Sequence, residues 1–537
     1  MDGKMQQIRE KILNKKNLYI LCFLALNLIE FLRATQTGDI WHVAVNFMGI
    51  VFMLIVVSAY PLKIFLNPLN AVYTLLCLAS MVAVYFHWRA HYGEYLVWQI
   101  ETAIVNVWWI GILARLLFRQ IFVEKIKNIH LDKKGWIWIV MSFFMIASVS
   151  GRWWPLWYLL MFGSFYLTRY TKEDAKALWD AMIDGTILSF FCLQIFAYGT
   201  RPYDTVRYVG FLTNSNMMGL YYLIIYLMAL YKQHILHVKK AAWGWKLFYF
   251  IGAGGLLSFQ LFTMCRTAWV TSIVITILYG ILVVRKLWKL KWGQVLLRGM
   301  ALCLMFMATF LPVYLTIRWL PTLTHYRIWF EGEYSVSKVH SFDPPDSEKY
   351  IDLDEFLDAL LGRIINTVQS MDERNPFVLQ VSAIEMERVE LVEVPWTKDG
   401  GISQRLTIYK AYLRDMTWYG NPENTGYYLI GDGEYHSWHA QNLWIQIGYY
   451  FGIPAGILSI VLTVVLIYSH GKKMLWNKED VHAVIPFFMC ILYFVFGIME
   501  VVWNPGQLVM FLMFFVQHPQ CGSRIAATAA EEGDGNQ

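Results

Sequence analysis

The chain alternates between long, uninterrupted apolar runs and shorter polar connections. Most runs extend over about 17–25 residues, the length at which an α-helix crosses the hydrocarbon core of a bilayer. Apolar residues are continuous within each run rather than alternating with polar ones. That pattern points away from a membrane β-barrel and toward helices, which satisfy every backbone group internally in lipid. The runs predict spans at residues 17–34, 40–60, 69–87, 100–118, 136–149, 154–168, 185–199, 217–231, 247–263, 267–284, 299–319, 443–468, 483–503 and 506–518. The expected fold class is therefore all-α and polytopic, with about fourteen transmembrane helices.

One interval breaks the pattern. Between Pro321 and Trp438 the sequence is polar, acidic and punctuated by Pro and Gly. It divides the chain into a cytoplasmic N-terminus (1–16), a membrane bundle (17–319), one large loop domain (320–440), a second part of the bundle (441–518) and a tail (519–537). Within the loop domain, Asp354–Val368 has apolar residues at helical spacing, which predicts an amphipathic helix. Its apolar face could lie on the membrane surface, cover the bundle or pack within a small domain of its own. Leu406–Leu413 is a second candidate helix.

Charge orients this layout. Lys4, Arg9, Lys11, Lys15 and Lys16 outnumber Asp2 and Glu10 before the first run, which places this end in the cytoplasm. The first run carries no cleavage site and reads as a retained anchor. Counting spans from there puts the basic connections Arg119–Lys134, Lys232–Lys246, Arg285–Arg298 and His470–His482 in the cytoplasm, with the mixed connection Thr168–Asp184, and the long loop outside. Composition agrees with a membrane protein: 57% of residues are hydrophobic and only 16% charged, against about a quarter charged in soluble domains. The seven cysteines, at 22, 77, 192, 265, 303, 490 and 521, avoid the loop and lack metal-site spacing. No metal site, cofactor or disulfide framework is expected, and nothing suggests nucleic acid as a partner.

Polar residues with chemical potential gather at the predicted outer ends. Tyr435–Leu443 closes the loop and opens an apolar run, and brings His436 and His439 to the water–membrane boundary beside Asp432 and Glu434. Two histidines so placed can move protons near neutral pH, although an interfacial histidine is more often structural. Asn214 and Asn216 enter the eighth span, where they could bind sugar hydroxyls or cap the helix. Arg266 sits in the short turn between spans nine and ten, where it either snorkels or meets an anion. Arg405 opens the second loop helix, and by itself reads as a surface salt bridge. Arg207, Arg201 and Arg152 share this side. Several guanidiniums on one face suit a phosphate-bearing ligand at the membrane.

Together these elements resemble the O-antigen ligase and O-antigen polymerase family of bacterial envelope enzymes, over roughly residues 185–470. Asn214-Ser215-Asn216 is similar to the family's Asn-Pro-Asn element, and Arg266 to the arginine of its Ser-Arg turn, with Cys265 replacing the serine. Arg405 is similar to the arginine of its Gly-Arg element, with Gln404 replacing the glycine. His439-Ala440-Gln441-Asn442, followed by Gly452–Gly456, resembles its His-x-His-Asn element and Gly-rich helix, with Gln441 where the catalytic histidine usually stands.

The resemblance implies a glycosyltransferase C-like fold in the bacterial cytoplasmic membrane, with both termini cytoplasmic and the loop external or periplasmic. It implies metal-independent, inverting glycosyl transfer from an undecaprenyl-diphosphate-linked glycan, with a flippase and a chain-length regulator as candidate partners. Arg266, Arg405 and Arg207 would hold the diphosphate. His439, or else His436, Glu434 or Asp432, would take the acceptor's proton, and Asn214, Asn216, Gln441 and Asn442 would hold sugar or acceptor. A polymerase of capsule, exopolysaccharide or O-antigen repeats is the leading expectation. A ligase, a polysaccharide transporter and an inactive family member are the alternatives.

Overall fold

The computed structural model describes residues 15–35, 40–61, 64–92, 94–123, 132–152, 154–168, 170–198, 203–204, 207–212, 214–324, 353, 356–362, 402–422, 426–430, 433–437, 439–476, 481–502 and 512. In chain order the helices are α1 (Lys15–Thr35), α2 (Ile40–Val57), α3 (Pro68–Tyr92), α4 (Glu94–Phe118), α5 (Lys133–Ile146), α6 (Trp154–Leu167) and α7 (Lys172–Tyr198). A hairpin, β1 (Tyr203–Asp204) and β2 (Arg207–Tyr208), leads into α8 (Ser215–Val238) and α9 (Trp243–Phe262). Next come α10 (Arg266–Leu278), which continues as a π-helix over Tyr279–Leu287, and α11 (Trp292–Thr324). The loop domain contributes α12 (Ile402–Arg414) and a second hairpin, β3 (Gly426–Ile430) with β4 (Gly433–Ser437). The chain then enters α13 (Leu443–Phe451), α14 (Ile453–Trp476) and α15 (Val484–Gly497).

Thirteen of the predicted runs fall on these helices; the run at 506–518 lies outside the described residues except for Leu512. Among the described residues six helical stretches are long and apolar enough to cross a membrane: Pro68–His87, Val97–Val123, Glu173–Tyr198, Arg266–Leu287, Trp292–Ile317 and Ile453–Trp476. The chain is a multi-pass helical membrane protein. Not every predicted run is a long span. With 14 residues each, α5 and α6 rise only about 21 Å, less than the roughly 30 Å of a hydrocarbon core.

At the centre stands α8. Its tyrosines Tyr221, Tyr222, Tyr226 and Tyr231 are all buried, and it packs on α7, α9, α10 and α15. A helix apolar on every side belongs in the middle of a bundle. Peripheral α3, packed on α4, instead exposes Leu69, Val72, Leu75, Leu76 and Phe86, a surface suited to lipid. The described part of the loop's first amphipathic segment covers the bundle; 354–355 and 363–368 lie outside the described residues. Residues 356–362 are helical, and Phe356 is fully buried with its ring 4.7 Å from that of Phe262.

The predicted span at 443–468 is a correction: it is two helices, broken at Gly452. Gly452 has φ 95°, and a Cβ there would land on the carbonyl of Trp418. Ile453 donates its N–H to the Thr417 carbonyl at 3.0 Å, so the irregular segment after α12 fills the break. Gly448 and Gly456 meet backbone to backbone where α13 and α14 pack. Gly452→Ala therefore meets both a left-handed backbone and a clash. It is expected to lose about 1–3 kcal/mol, read as a lower unfolding midpoint in detergent.

Candidate functional site

The site is assembled from five chain segments at one end of the bundle. Tyr208 anchors the first. Its ring is buried and stacks on Tyr222, and its hydroxyl accepts from Gln194 Nε2 at 3.0 Å. That fixes β2 beside the start of α8, where Arg207 donates from NH2 to Asn216 Oδ1 at 2.6 Å and from Nε to the Thr263 carbonyl at 3.2 Å.

The second segment is the start of α8. Asn214 is exposed and caps the helix, accepting from the Asn216 N–H at 2.8 Å. Asn216, in the first turn, points inward and donates from Nδ2 to Glu500 Oε1 at 3.0 Å. The third is the turn from α9 to α10. Thr263 donates to the Gln260 carbonyl at 2.7 Å, Met264 adopts φ 50°, and Cys265 lies over Gly219, where a Cβ would have no room. Arg266, half-buried, is the first residue of α10.

The fourth segment is the chain just past α15, Ile498-Met499-Glu500, met by α12. Arg405 NH2 lies 3.1 Å from Glu500 Oε1, and its NH1 donates to the Met499 carbonyl at 2.5 Å. Glu500 is 5% exposed. Among the described residues both of its hydrogen bonds go to Oε1, so Oε2 is uncommitted. One turn along α12, the Tyr409 hydroxyl reaches the carbonyls of Ile498 (2.8 Å) and Gln441 (3.1 Å).

The fifth segment runs from His439 to Asn442. Gln441 has φ 50°, and its N–H points back at His439 Nδ1, 3.3 Å away. In that contact Nδ1 is the acceptor, and a neutral ring that accepts there has its proton on Nε2. Ser437 donates to the His439 carbonyl and Gln446 Oε1 accepts from Ala440 N–H, at 2.7 and 2.6 Å. Asn442 caps α13, accepting from Trp444 and Ile445 N–H at 3.1 Å each, and ties it to the Ile498 carbonyl at 3.0 Å. Asn442→Ala removes cap and tether together, with an expected loss of about 1–2 kcal/mol. Thermal unfolding of the purified variant measures it.

Electrostatics shows the segments acting on one another. Burial lowers the His439 imidazole from its ordinary value; Glu500 opposes the shift and Arg405 adds to it. Burial pushes the Cys265 thiol up to about 11, with Glu500 raising it further and Arg207 and Arg405 opposing. Burial raises Tyr409 to about 12, against the pull of Arg405. Among the described residues, Glu500 is tied directly to Arg405 and, through Asn216, to Arg207. An ion pair this buried is expensive to desolvate and is a weak source of net stability. Its value lies in holding a cation, an open carboxylate oxygen and a histidine at the edge of the bundle.

Arg207, Asn216, Arg405 and His439 thus converge, while Asn214 and Asn442 are occupied with helix caps. Gln441 contributes its backbone. Arg152 lies elsewhere on this side, its guanidinium 3.5 Å above the Tyr450 ring. For His436 and Glu434 the described structure gives only backbone, on β4 opposite Tyr427 and Leu429; their side chains, like Asp432 and Arg201, lie outside the described residues. Glu500 and Tyr409 were not among the candidates. A lone carboxylate in the apolar stretch Val484–Val502 was the available signal for Glu500; Tyr409 had none. Searches against protein-family models, curated proteins and solved structures find no match to the chain.

Proposed function

We propose that this chain is a membrane glycosyltransferase of the O-antigen polymerase and ligase type. It acts at the outer face of a bacterial cytoplasmic membrane, in a bundle of about fourteen spans with both termini inside. The observation that carries the reading is the Arg207–Asn216–Glu500–Arg405 chain beside His439. Guanidiniums gathered at the bundle edge suit a diphosphate whose lipid tail lies in the bilayer. As the acceptor hydroxyl attacks the anomeric carbon, the bond to the diphosphate oxygen breaks and charge grows on the leaving group. Arg207, Arg266 and Arg405 stabilise that charge, each by about 3–4 kcal/mol.

The acceptor's proton passes to Glu500 Oε2, the oxygen left free of Arg405 and Asn216. His439 has its proton on Nε2 and donates a hydrogen bond to the diphosphate or sugar. This refines the sequence expectation of His439 as the base. A transporter would place its polar groups near the bilayer midplane; this cluster sits at helix ends.

The reading favours polymerisation of carrier-linked repeats. Deletion in the source organism, with complementation by wild type, Arg405→Ala and Arg266→Ala, tests it. A glycan ladder collapsed to single carrier-linked repeats, unrestored by either variant, supports a polymerase. Long carrier-linked chains that stay unattached make it a ligase. An unchanged glycan with the protein expressed sinks the enzyme reading.

A further inference from the structure

A second site lies at the opposite end of the bundle. α10 and its π-helical continuation make a 22-residue apolar helix, Arg266–Leu287, which rises about 30 Å, since its nine π-helical residues climb less than the 1.5 Å of an α-helical residue. That matches the thickness of a hydrocarbon core. Arg266 at its start marks the Arg405–Glu500 end, so its last turns reach the other membrane surface. There, a cavity of about 660 Å³ is lined by Ile281, Arg285, Lys286, Lys289, Trp292 and Trp476, with Leu287 and Leu475.

The lining has three cations, no carboxylate, and aliphatic and indole surface. Among the described residues none of the three cations is paired with an acid. Arg285 donates from NH1 to the Leu290 carbonyl at 3.1 Å and sits over the Trp292 ring, while its buried Nε has no hydrogen-bond partner. The connecting turn is built rather than loose. Lys289 holds φ 57°, and Trp288 stacks on His237 at 4.1 Å and donates to His234 Nδ1 at 2.9 Å. Trp292 and Trp476 are 54% and 73% exposed, as tryptophans at a bilayer interface are.

We infer that this cavity binds the phosphodiester headgroup of an anionic glycerophospholipid from that leaflet. Arg285, Lys286 and Lys289 supply the phosphate contacts; Ile281, Leu287, Leu475 and the two indoles supply surface for the glycerol and the first acyl carbons. The volume falls within the range of small-ligand sites, roughly 300–1,000 Å³. The apolar half of the lining is what separates a lipid from a soluble anion, because a free phosphate gains nothing from it. The inference stands on this cavity alone and does not depend on the reaction at the other end.

Native mass spectrometry of the full-length protein in detergent tests it, with added dioleoyl phosphatidylglycerol, tetraoleoyl cardiolipin, dioleoyl phosphatidylcholine or inorganic phosphate. The wild type is expected to retain the two anionic lipids and not the zwitterionic one. A triple variant, Arg285→Gln, Lys286→Gln and Lys289→Gln, should bind them on the order of a hundredfold more weakly. Lys15→Gln, Lys16→Gln and Lys176→Gln, an equal charge loss on α1 and α7, should bind as wild type. Because Arg285 also braces the turn, Lys286→Gln alone, at an exposed position, provides a fold-neutral check and should weaken binding severalfold. Equal losses in the triple and the control would reduce the effect to diffuse attraction and overturn the site. So would phosphatidylcholine binding as well as phosphatidylglycerol. Displacement of the lipid by millimolar inorganic phosphate would make it a soluble-anion site instead.

Discussion

Glu500→Gln is expected to fold and to lose glycan transfer, whereas Glu500→Ala loses both. Glu500 Oε1 accepts from Asn216 Nδ2 at 3.0 Å and from Arg405 NH2 at 3.1 Å. Alanine removes that acceptor and leaves the Arg405 guanidinium, only 19% exposed, without a counter-charge. Breaking a buried pair in this way costs about 3–5 kcal/mol. Glutamine lacks the charge as well, but its amide oxygen can still accept from Asn216 and Arg405, and Arg405 keeps its bond to the Met499 carbonyl, so the loss falls to about 1–3 kcal/mol. What glutamine cannot do is take a proton. Under the proposed reaction its transfer rate drops by about 10²–10⁴. Unfolding midpoints in detergent, beside transfer from a carrier-linked donor in proteoliposomes, separate the two effects. Wild-type transfer by the glutamine variant would remove Glu500 from proton chemistry.

That residue also marks where sequence reading ran out. Helical apolar runs were legible because lipid leaves the backbone no other arrangement, and thirteen of them coincide with helices. The break at Gly452 was hidden, since apolar residues continue across it; only the carbonyl of Trp418, brought there by the folded loop, makes the glycine necessary. At the candidate site, Arg207, Asn216, Arg405 and His439 stood out as polar residues at apolar boundaries. Which of them cooperate was not legible. Asn214 and Asn216 have equal standing in the sequence, yet one caps α8 while the other turns inward to Glu500. Glu500 itself lies 284 positions from its partner Asn216, a pairing that periodicity along the chain has no means to express.

The second large effect separates two roles for His439. With Nδ1 accepting from the Gln441 N–H at 3.3 Å, the neutral ring has Nε2–H to offer, and under the proposed reaction it acts as a donor. His439→Ala should then lower transfer by about 10²–10³, as loss of a donor to developing charge does. His439→Gln, whose amide can also donate, should recover a substantial part of that loss. Acidity gives an independent reading. Burial holds His439 below its ordinary value near 6.5, with Arg405 adding to the shift and Glu500 opposing it. In the unfolded chain the ring titrates near 6.5, so acidification first protonates the unfolded state. The contribution of a neutral, buried His439 to stability is complete above about pH 6.5 and declines as pH falls through the folded value. Transfer by the wild type is accordingly expected to persist below pH 6.5, and the unfolding midpoint to fall over that same interval, a fall that His439→Gln removes. A glutamine variant as inactive as alanine would instead assign the acceptor's proton to His439. Glu500 would then be left to hold Arg405 and Asn216 in position.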